Sequence, residues 1–133
     1  ADGVTAERLI TDVLEHVADI GAFLREVHRV CRRGARVRIR TPHYSSWYAW
    51  NDPTHRHALG YFALDRFTDT PGFHARSAPL FRYVRREILF SRAHRLVGIA
   101  ALANAFPARW EQLFAWMAPA ENLMFELEVM KPA

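Results

Sequence analysis

Asp12, Glu15 and His16 form a short cluster of side chains that are suited to acid–base chemistry. They follow the short apolar run Leu9-Ile10, which is typical of the end of a buried strand. Ligands of open α/β sheets bind beyond the carboxyl ends of the strands, so this position favours a site. Because imidazole titrates near neutral pH, His16, with Glu15, could take a proton from an oxygen or nitrogen nucleophile. The alternative is that Asp12 and Glu15 only cap the following helix.

The segment from His43 to Gly60 has no clean helical or strand period and is rich in aromatic, histidine and hydroxyl side chains. A loop of this length inside a compact domain is usually functional. Aromatic rings supply stacking area and polar groups supply hydrogen bonds, so we expect this loop to bind a substrate. The candidate substrate-binding residues are His43, Tyr44, Trp47, Asp52, His55 and His57.

Two other interpretations of the same loop remain open. In the first, Asp52 begins a turn with Pro53, and His55 fastens the loop by hydrogen bonds. In the second, zinc or iron is held by His43, Asp52, His55 and His57, and the chain is a small metal-dependent hydrolase. The sequence has no H-E-x-x-H pattern and only one cysteine, so our expectation is that no metal is bound.

The elements that must position these residues begin with a helix. Apolar residues recur at helical spacing between Ala18 and Arg33, with Asp19 as a candidate N-cap and Gly34 at the predicted C′ position. The next segment, Ala35–Thr41, alternates apolar and arginine side chains as a strand does, and Pro42 ends it. A short strand, this helix and a second strand together predict a right-handed parallel crossover.

The second half of the chain contains further helical and strand patterns. The predicted segments are a short helix over Tyr61–Phe67, a strand over Leu80–Phe90, helices over Leu96–Phe106 and Pro107–Met117, and a final strand over Leu123–Met130. The strand pattern changes phase near Arg85 and Arg86, which predicts a β-bulge.

Two groups of side chains in this half favour structural roles. A contribution to the core, rather than to a site, is predicted for Trp110, Phe114, Trp116 and Met117. A solvated face is predicted for Arg82, Arg85 and Arg86, with the binding of an anionic acceptor as the alternative.

Composition limits the classes of partner. The chain has 133 residues, half of them apolar, and a formal net charge of +4, which suits a single domain over residues 1–133. Its basic residues are interleaved with acidic ones and form no run of five, so we expect no nucleic-acid partner. The longest apolar stretch is too short to span a bilayer, so we expect a cytoplasmic protein with no membrane partner. Cys31, the single cysteine, is predicted to be buried and unreactive.

Several motifs together resemble the C-terminal half of a class I S-adenosylmethionine-dependent methyltransferase. They are Asp12-Val13-Leu14-Glu15-His16-Val17, the helix Phe23–Val30 closing on Arg33-Gly34, the strand Val37–His43, and Phe125–Val129 followed by Lys131. A further motif, Asp52-Pro53-Thr54-His55, is similar to one found in a type-11-like subgroup of the family. The resemblance covers nearly the whole chain.

The resemblance implies a fold and a set of roles. The fold would be α/β, with a partial Rossmann-like sheet whose strands correspond to the fourth to seventh of the family. The last strand would be antiparallel and would insert between Ala35–Thr41 and Leu80–Phe90. The cofactor would be S-adenosylmethionine, held near Asp12, Val13 and Leu14, with His16 and Glu15 as the catalytic groups. The loop after the second strand would cover a small-molecule or glycan-type acceptor.

The sequence departs from the family in one respect. Family members begin with a strand and a G-x-G-x-G turn that lets backbone amides approach the cofactor. No two glycines lie within ten residues of each other among Gly3, Gly21, Gly34, Gly60, Gly72 and Gly98. We therefore expect the N-terminal cofactor-binding half to be absent, and the cofactor to bind poorly to the lone chain. A strand edge left open near Leu9 predicts self-association or a covering partner. A non-catalytic binding module derived from this fold is the alternative.

Overall fold

The computed structural model describes residues 8–70 and 78–132 of the chain, which form a mixed α/β fold. Its four strands are β1 (Arg8–Thr11), β2 (Arg36–Pro42), β3 (Phe81–Leu89) and β4 (Asn122–Val129), in the spatial order β1-β2-β4-β3. β1 pairs parallel with β2, whereas β4 runs antiparallel to both β2 and β3. The prediction that the last strand reverses and inserts between its two predecessors is therefore confirmed.

Five α-helices and two single 3₁₀ turns accompany the sheet in the described residues. The helices are α1 (Ile20–Val30), α2 (Trp47–Asn51), α3 (Arg92–Leu96), α4 (Ile99–Ala105) and α5 (Pro107–Leu113), and the 3₁₀ turns are Leu14–His16 and Asp65–Phe67. In the part of the chain that the structure describes, no helix is long and apolar enough to cross a membrane.

The sheet supplies most of the core because its strands alternate as the sequence predicts. On β4, the inward side chains Leu123, Phe125 and Leu127 are completely buried. Val37 and Ile39 lie beside them on the neighbouring strand β2 and are also completely buried. Successive strand residues point to opposite faces, so a one-residue slip would expose this entire set. The alternation therefore fixes the register that brings the carboxyl ends of β1 and β2 together.

α1 begins where the sequence predicts. The Asp19 carboxylate accepts a hydrogen bond of 3.0 Å from the Ala22 amide, which is an N-cap. The helix ends earlier than Gly34, however, because Cys31 already has an extended backbone. Gly34 lies instead in a turn closed by the Ala35 amide and the Arg32 carbonyl, where its φ of 79° suits glycine.

Several predicted boundaries move for local backbone reasons. The helix predicted over Leu96–Phe106 is shortened to α4, because α3 ends at Leu96 and Gly98 adopts a left-handed φ of 85° before α4 begins. Tyr61–Phe67 contains only turns and one 3₁₀ turn. The irregularity in β3 falls between Tyr83 and Arg85, next to the predicted position.

Only Trp110 of the four predicted core side chains on the last helical segment is buried, at 5% exposure. Phe114, Trp116 and Met117 are 50%, 65% and 79% exposed. α5 ends at Leu113, so these three residues follow the helix and do not share its inner face. The core prediction was wrong for them.

Arg86 is also not on a solvated face. Its guanidinium carbon lies 4.3 Å from the centre of the Tyr61 ring and 4.0 Å from that of Tyr83. The same group forms a 3.1 Å ion pair with Asp65, whose side chain is 5% exposed. Arg82 and Arg85 do point outward, in exposed ion pairs with glutamates. The arginines of β3 therefore divide into one partly buried residue and two solvated residues.

β1 lies at an edge of the described sheet, and Leu9 on this strand is 62% exposed. An apolar groove of about 520 Å³ runs beside it, lined in part by Val13, Phe23 and Val27. Cys31, at the end of this groove, is 2% exposed, as predicted. Whether a second copy or a partner covers the edge stays a prediction.

Candidate functional site

A cleft of about 340 Å³ lies beyond the carboxyl ends of β1 and β2. It is lined by Asp12, Glu15, His16, Pro42, Tyr48, Asp52, His55 and Asn122. These residues come from three separate parts of the chain, namely the segment after β1, the loop after β2 and the start of β4. This is the position at which open α/β sheets bind ligands.

The segment after β1 turns sharply and places a carboxylate inside the protein. Asp12 has a φ of 55°, the only positive value among the described residues other than glycine, and its amide donates to the Arg40 carbonyl at 3.0 Å. The 3₁₀ turn that follows buries Glu15 to 2% exposure, where its Oε2 accepts a 2.8 Å hydrogen bond from the Thr41 hydroxyl. Neither Asp12 nor Glu15 is the N-cap of α1, since Asp19 fills that position.

Val13 and Leu14 lie in the same segment with different exposures. Leu14 is completely buried in the core, and Val13 is 38% exposed and faces the groove beside β1. Neither side chain lines the cleft. Any contact that these two residues make with a ligand in the cleft must therefore come from their backbone.

The hydrogen bonds around His16 assign its tautomer. Nδ1 lies 3.3 Å from the Thr54 carbonyl and 3.2 Å from the Thr54 hydroxyl oxygen. That hydroxyl gives its own hydrogen to Asp52 at 2.6 Å, so it accepts from Nδ1. Nε2 of neutral His16 therefore carries a lone pair, and it lies 3.8 Å from Oε1 of Glu15.

His55 is held in the same way. Its Nδ1 donates to the Ala49 carbonyl at 3.1 Å, which leaves a lone pair on Nε2, 3.6 Å from Asp52. Its ring is nearly perpendicular to that of His16, with ring centres 4.6 Å apart. The site thus presents two histidine Nε2 atoms next to one buried carboxylate.

Asp52 organises the turn beneath these rings. The Thr54 hydroxyl and then the Thr54 amide hold the pKa of the Asp52 carboxyl below its usual range, and the nearby His55 and His16 add to the effect. The Thr54 amide donates to the Asp52 carboxylate at 2.9 Å, and the His55 amide donates to the Asp52 carbonyl at 3.1 Å. The predicted turn at Asp52-Pro53 is therefore present, and Asp52 is ionised.

Glu15, His16 and His55 can each offer one ligand atom, and these atoms lie within 4.8 Å of one another. This is the group with suitable spacing for a metal in the part of the chain that the structure describes. It differs from the set considered from the sequence, which placed His43 and His57 with Asp52 and His55.

His43 lies away from the cleft and is completely buried. Its Nδ1 accepts from the Ser45 amide at 3.0 Å, so Nε2 carries the hydrogen and donates to Glu111 at 2.7 Å. Tyr44 lies beside it, with its hydroxyl donating to the Glu111 carbonyl at 3.2 Å. Burial, and then the charge of Glu111, raise the pKa of Tyr44. Both residues anchor the loop to α5, and neither lines the cleft.

His57 and Trp47 are also outside the cleft. The Nε2–H group of His57 donates to the Val17 carbonyl at 2.7 Å, and Trp47 is 71% exposed on α2. Sequence reasoning selected neither Tyr48 nor Asn122 as a site residue. Tyr48 lies in the aromatic loop, whereas Asn122 reaches the cleft only because β4 inserts beside β2. No local pattern marks Asn122.

No protein-family model matches this sequence, and no curated protein matches it.

Proposed function

We propose that this chain is the acceptor-binding part of a class I S-adenosylmethionine-dependent methyltransferase. The observation that carries the proposal is the sheet order β1-β2-β4-β3, with β4 reversed, and a polar cleft at the carboxyl ends of β1 and β2. The motif resemblance predicts this arrangement of strands. The proposal also places the protein in the cytoplasm, where the methyl donor is made.

The cleft has the groups needed to prepare an acceptor hydroxyl or amine. His16 can take the proton of the acceptor hydroxyl or amine on Nε2, which prepares the nucleophile for the methyl group that S-adenosylmethionine would supply. Nε2 lies 3.8 Å from Oε1 of Glu15, whose carboxylate stabilises the imidazolium ion. Asp52, acting through the Thr54 hydroxyl, fixes the orientation of the ring. Tyr48 and His55 line the space for the acceptor.

The described residues fit only one end of the cofactor. Asp12, Val13 and Leu14, just beyond the end of β1, would contact the methionine portion of S-adenosylmethionine, which would supply an activated methyl group there. The 133 residues contain no closely spaced glycines to cradle the rest. We therefore propose that high-affinity binding needs a glycine-rich segment outside this sequence.

Titration of the isotope-labelled chain with S-adenosylhomocysteine, followed by two-dimensional NMR, tests the proposal. We expect weak binding, with shifts concentrated in the backbone amides of Asp12, Val13 and Leu14. ATP is the control ligand, because it shares the adenosine group but has no amino-acid tail. Shifts that avoid these three amides, or that ATP reproduces, would contradict the proposal. A micromolar complex would show that no further glycine-rich segment is required.

A second candidate function follows from the group Glu15, His16 and His55. Two histidines and one carboxylate with open positions are the ligand set of zinc hydrolases and of non-haem iron(II) enzymes. The Nδ1 atoms of both histidines already form hydrogen bonds to oxygen atoms. Such a bond fixes the orientation of the ring and leaves the Nε2 lone pair free for a metal, as is usual for metal-ligating histidines. A metal here would activate a water molecule, and His16 would be a ligand and not a base.

Calorimetric titration with Zn²⁺ separates the two candidates. If the metal site exists, we expect one equivalent of Zn²⁺ to bind. His55→Ala should weaken Zn²⁺ binding by about 100-fold, which is the largest loss of affinity usually seen when a residue that only supports a metal ligand is changed. His57→Ala is the matched control, because its ring is bonded to Val17 outside the cleft. An absence of stoichiometric binding would eliminate this candidate and leave the methyltransferase proposal untouched.

A further inference from the structure

The helices that follow β3 carry a large apolar surface exposed to solvent. Eight large apolar side chains between residues 96 and 117 are at least half exposed, from 50% for Phe114 to 79% for Met117. They are Leu96, Val97, Leu102, Phe106, Leu113, Phe114, Trp116 and Met117. We refer to these eight residues as the α3–α5 surface. Single exposed apolar residues are normal, but a concentration of this size marks an interaction site.

This exposure arises from the way the three short helices pack. α4 turns Ala103 and Asn104 toward β3, and the Asn104 amide group bonds to both the amide and the carbonyl of Ile88. α5 buries Trp110 in the core. Leu102 and Phe106 are one helical turn apart and remain on the outer side. The inner faces are thus committed to the sheet, and the outer side chains remain at least half exposed, although the Trp116 ring lies 5.5 Å from that of Tyr44.

Every exposed charge along this segment is positive. Arg92, Arg95 and Arg109 are exposed, and none of them forms an ion pair with a described residue. The single acid between residues 91 and 120 is Glu111, which points inward to His43. Arg92 is four residues before Leu96, and Arg109 is four residues before Leu113. Each of these pairs places a guanidinium one helical turn from an exposed leucine.

We propose that the α3–α5 surface docks on an anionic lipid bilayer. The apolar side chains enter the boundary between headgroups and acyl chains, and the arginines bind lipid phosphates with their planar guanidinium groups. Trp116 suits the same boundary, since its ring is apolar and its N–H is polar. A protein partner would be expected to meet acids as well as bases at the rim of the surface, whereas the three exposed charges within residues 91–120 are all positive and the next acid along the chain is Glu121. This proposal departs from the expectation of no membrane partner, which was drawn from the lack of an apolar stretch long enough to span a bilayer; docking at the bilayer surface needs no such stretch.

Sedimentation of the chain with lipid vesicles tests this proposal. We expect binding to vesicles of phosphatidylcholine with phosphatidylglycerol, and little binding to phosphatidylcholine alone. Each basic residue near an anionic surface contributes about fivefold in affinity, so Arg92→Gln, Arg95→Gln and Arg109→Gln together should weaken binding on the order of 100-fold. Trp116→Ser with Met117→Ser should weaken it as well, because the apolar contribution is lost. Both sets are exposed, so circular dichroism should be unchanged.

The matched control changes three exposed arginines elsewhere, namely Arg25, Arg33 and Arg40, to glutamine. It removes the same charge and should retain most of the binding. Equal loss in this control, or equal binding to both vesicle types, would overturn the proposal. Light scattering of the free chain provides the remaining outcome. A dimer that Trp116→Ser with Met117→Ser dissociates, without vesicle binding by the parent chain, would assign the surface to a second copy and would also overturn it.

Discussion

Replacing Arg86 by alanine is expected to lower the free energy of unfolding by about 3–5 kcal/mol. The Asp65 carboxylate is almost fully buried, and its Oδ1 receives hydrogen bonds from Arg86 at 3.1 Å and from the Tyr83 hydroxyl at 2.8 Å. Without the guanidinium, a buried charge keeps only one neutral donor. The stacking of Arg86 against the Tyr61 and Tyr83 rings is lost as well. Urea denaturation followed by circular dichroism measures the effect.

Arg85→Ala is the neighbouring control. Arg85 forms an exposed ion pair with Glu87, and its loss should cost no more than about 1 kcal/mol. Arg86→Lys should be intermediate, because an ammonium group keeps the charge but cannot stack as a planar group does. If Asp65→Asn is added to Arg86→Ala, much of the stability should return, since the unpaired charge is then gone. An Arg86→Ala variant as stable as Arg85→Ala would contradict this account.

Glu111→Ala is expected to destabilise the protein by about 3 kcal/mol and to loosen the loop that covers the cleft. Its Oε2 accepts from His43 Nε2 at 2.7 Å and from the Tyr61 amide at 2.8 Å, so truncation leaves two donors without an acceptor. These bonds tie both ends of the loop between β2 and the Tyr61 turn to α5. Gly60 permits the approach, because a Cβ atom there would lie 2.9 Å from the Glu111 carboxylate.

Urea denaturation measures the stability, and NMR line widths of the Tyr48, Asp52 and His55 amides report on the loop. Gln112→Ala is the control, since Gln112 is exposed and adjacent to Glu111 on α5. A Glu111→Ala variant that retains its stability and sharp, unshifted loop signals would show that the loop is held by other contacts.

Local patterns in the sequence were sufficient for much of the secondary structure. The Asp19 cap, the alternation of β2 and β4, and Pro107 in the first turn of α5 each depend on neighbouring residues, and each is present in the structure. Patterns failed where a residue had two possible environments. Phe114 and Trp116 were predicted to lie in the core, yet α5 ends before both of them and their side chains are exposed. The hydrophobicity of a residue does not by itself determine whether its side chain contacts protein or solvent.

The candidate site was predicted in part for the same reason. Asp12, Glu15, His16, Asp52 and His55 were selected because polar residues at strand ends and in an aromatic loop favour a site, and all five line the cleft. From the sequence, His43 and His55 were grouped as candidate site residues because they are near each other in the chain. In the structure, Ser45 and Glu111 occupy both ring nitrogens of His43. Histidine is equally suited to a buried hydrogen-bond network and to an open site, so residue type could not separate the two.

The sequence by itself determined which segments become strands, which residue caps α1, and that acids and histidines follow β1 and β2. These features depend on contacts between residues that are close along the chain. Only the tertiary structure decided that His16 meets Thr54 and His55, that Asn122 reaches the cleft, and that Arg86 is enclosed by aromatic rings. Such contacts join residues that are distant in sequence, and they exist only once β4 has paired with β2 and β3, because that pairing sets which side chains share a space.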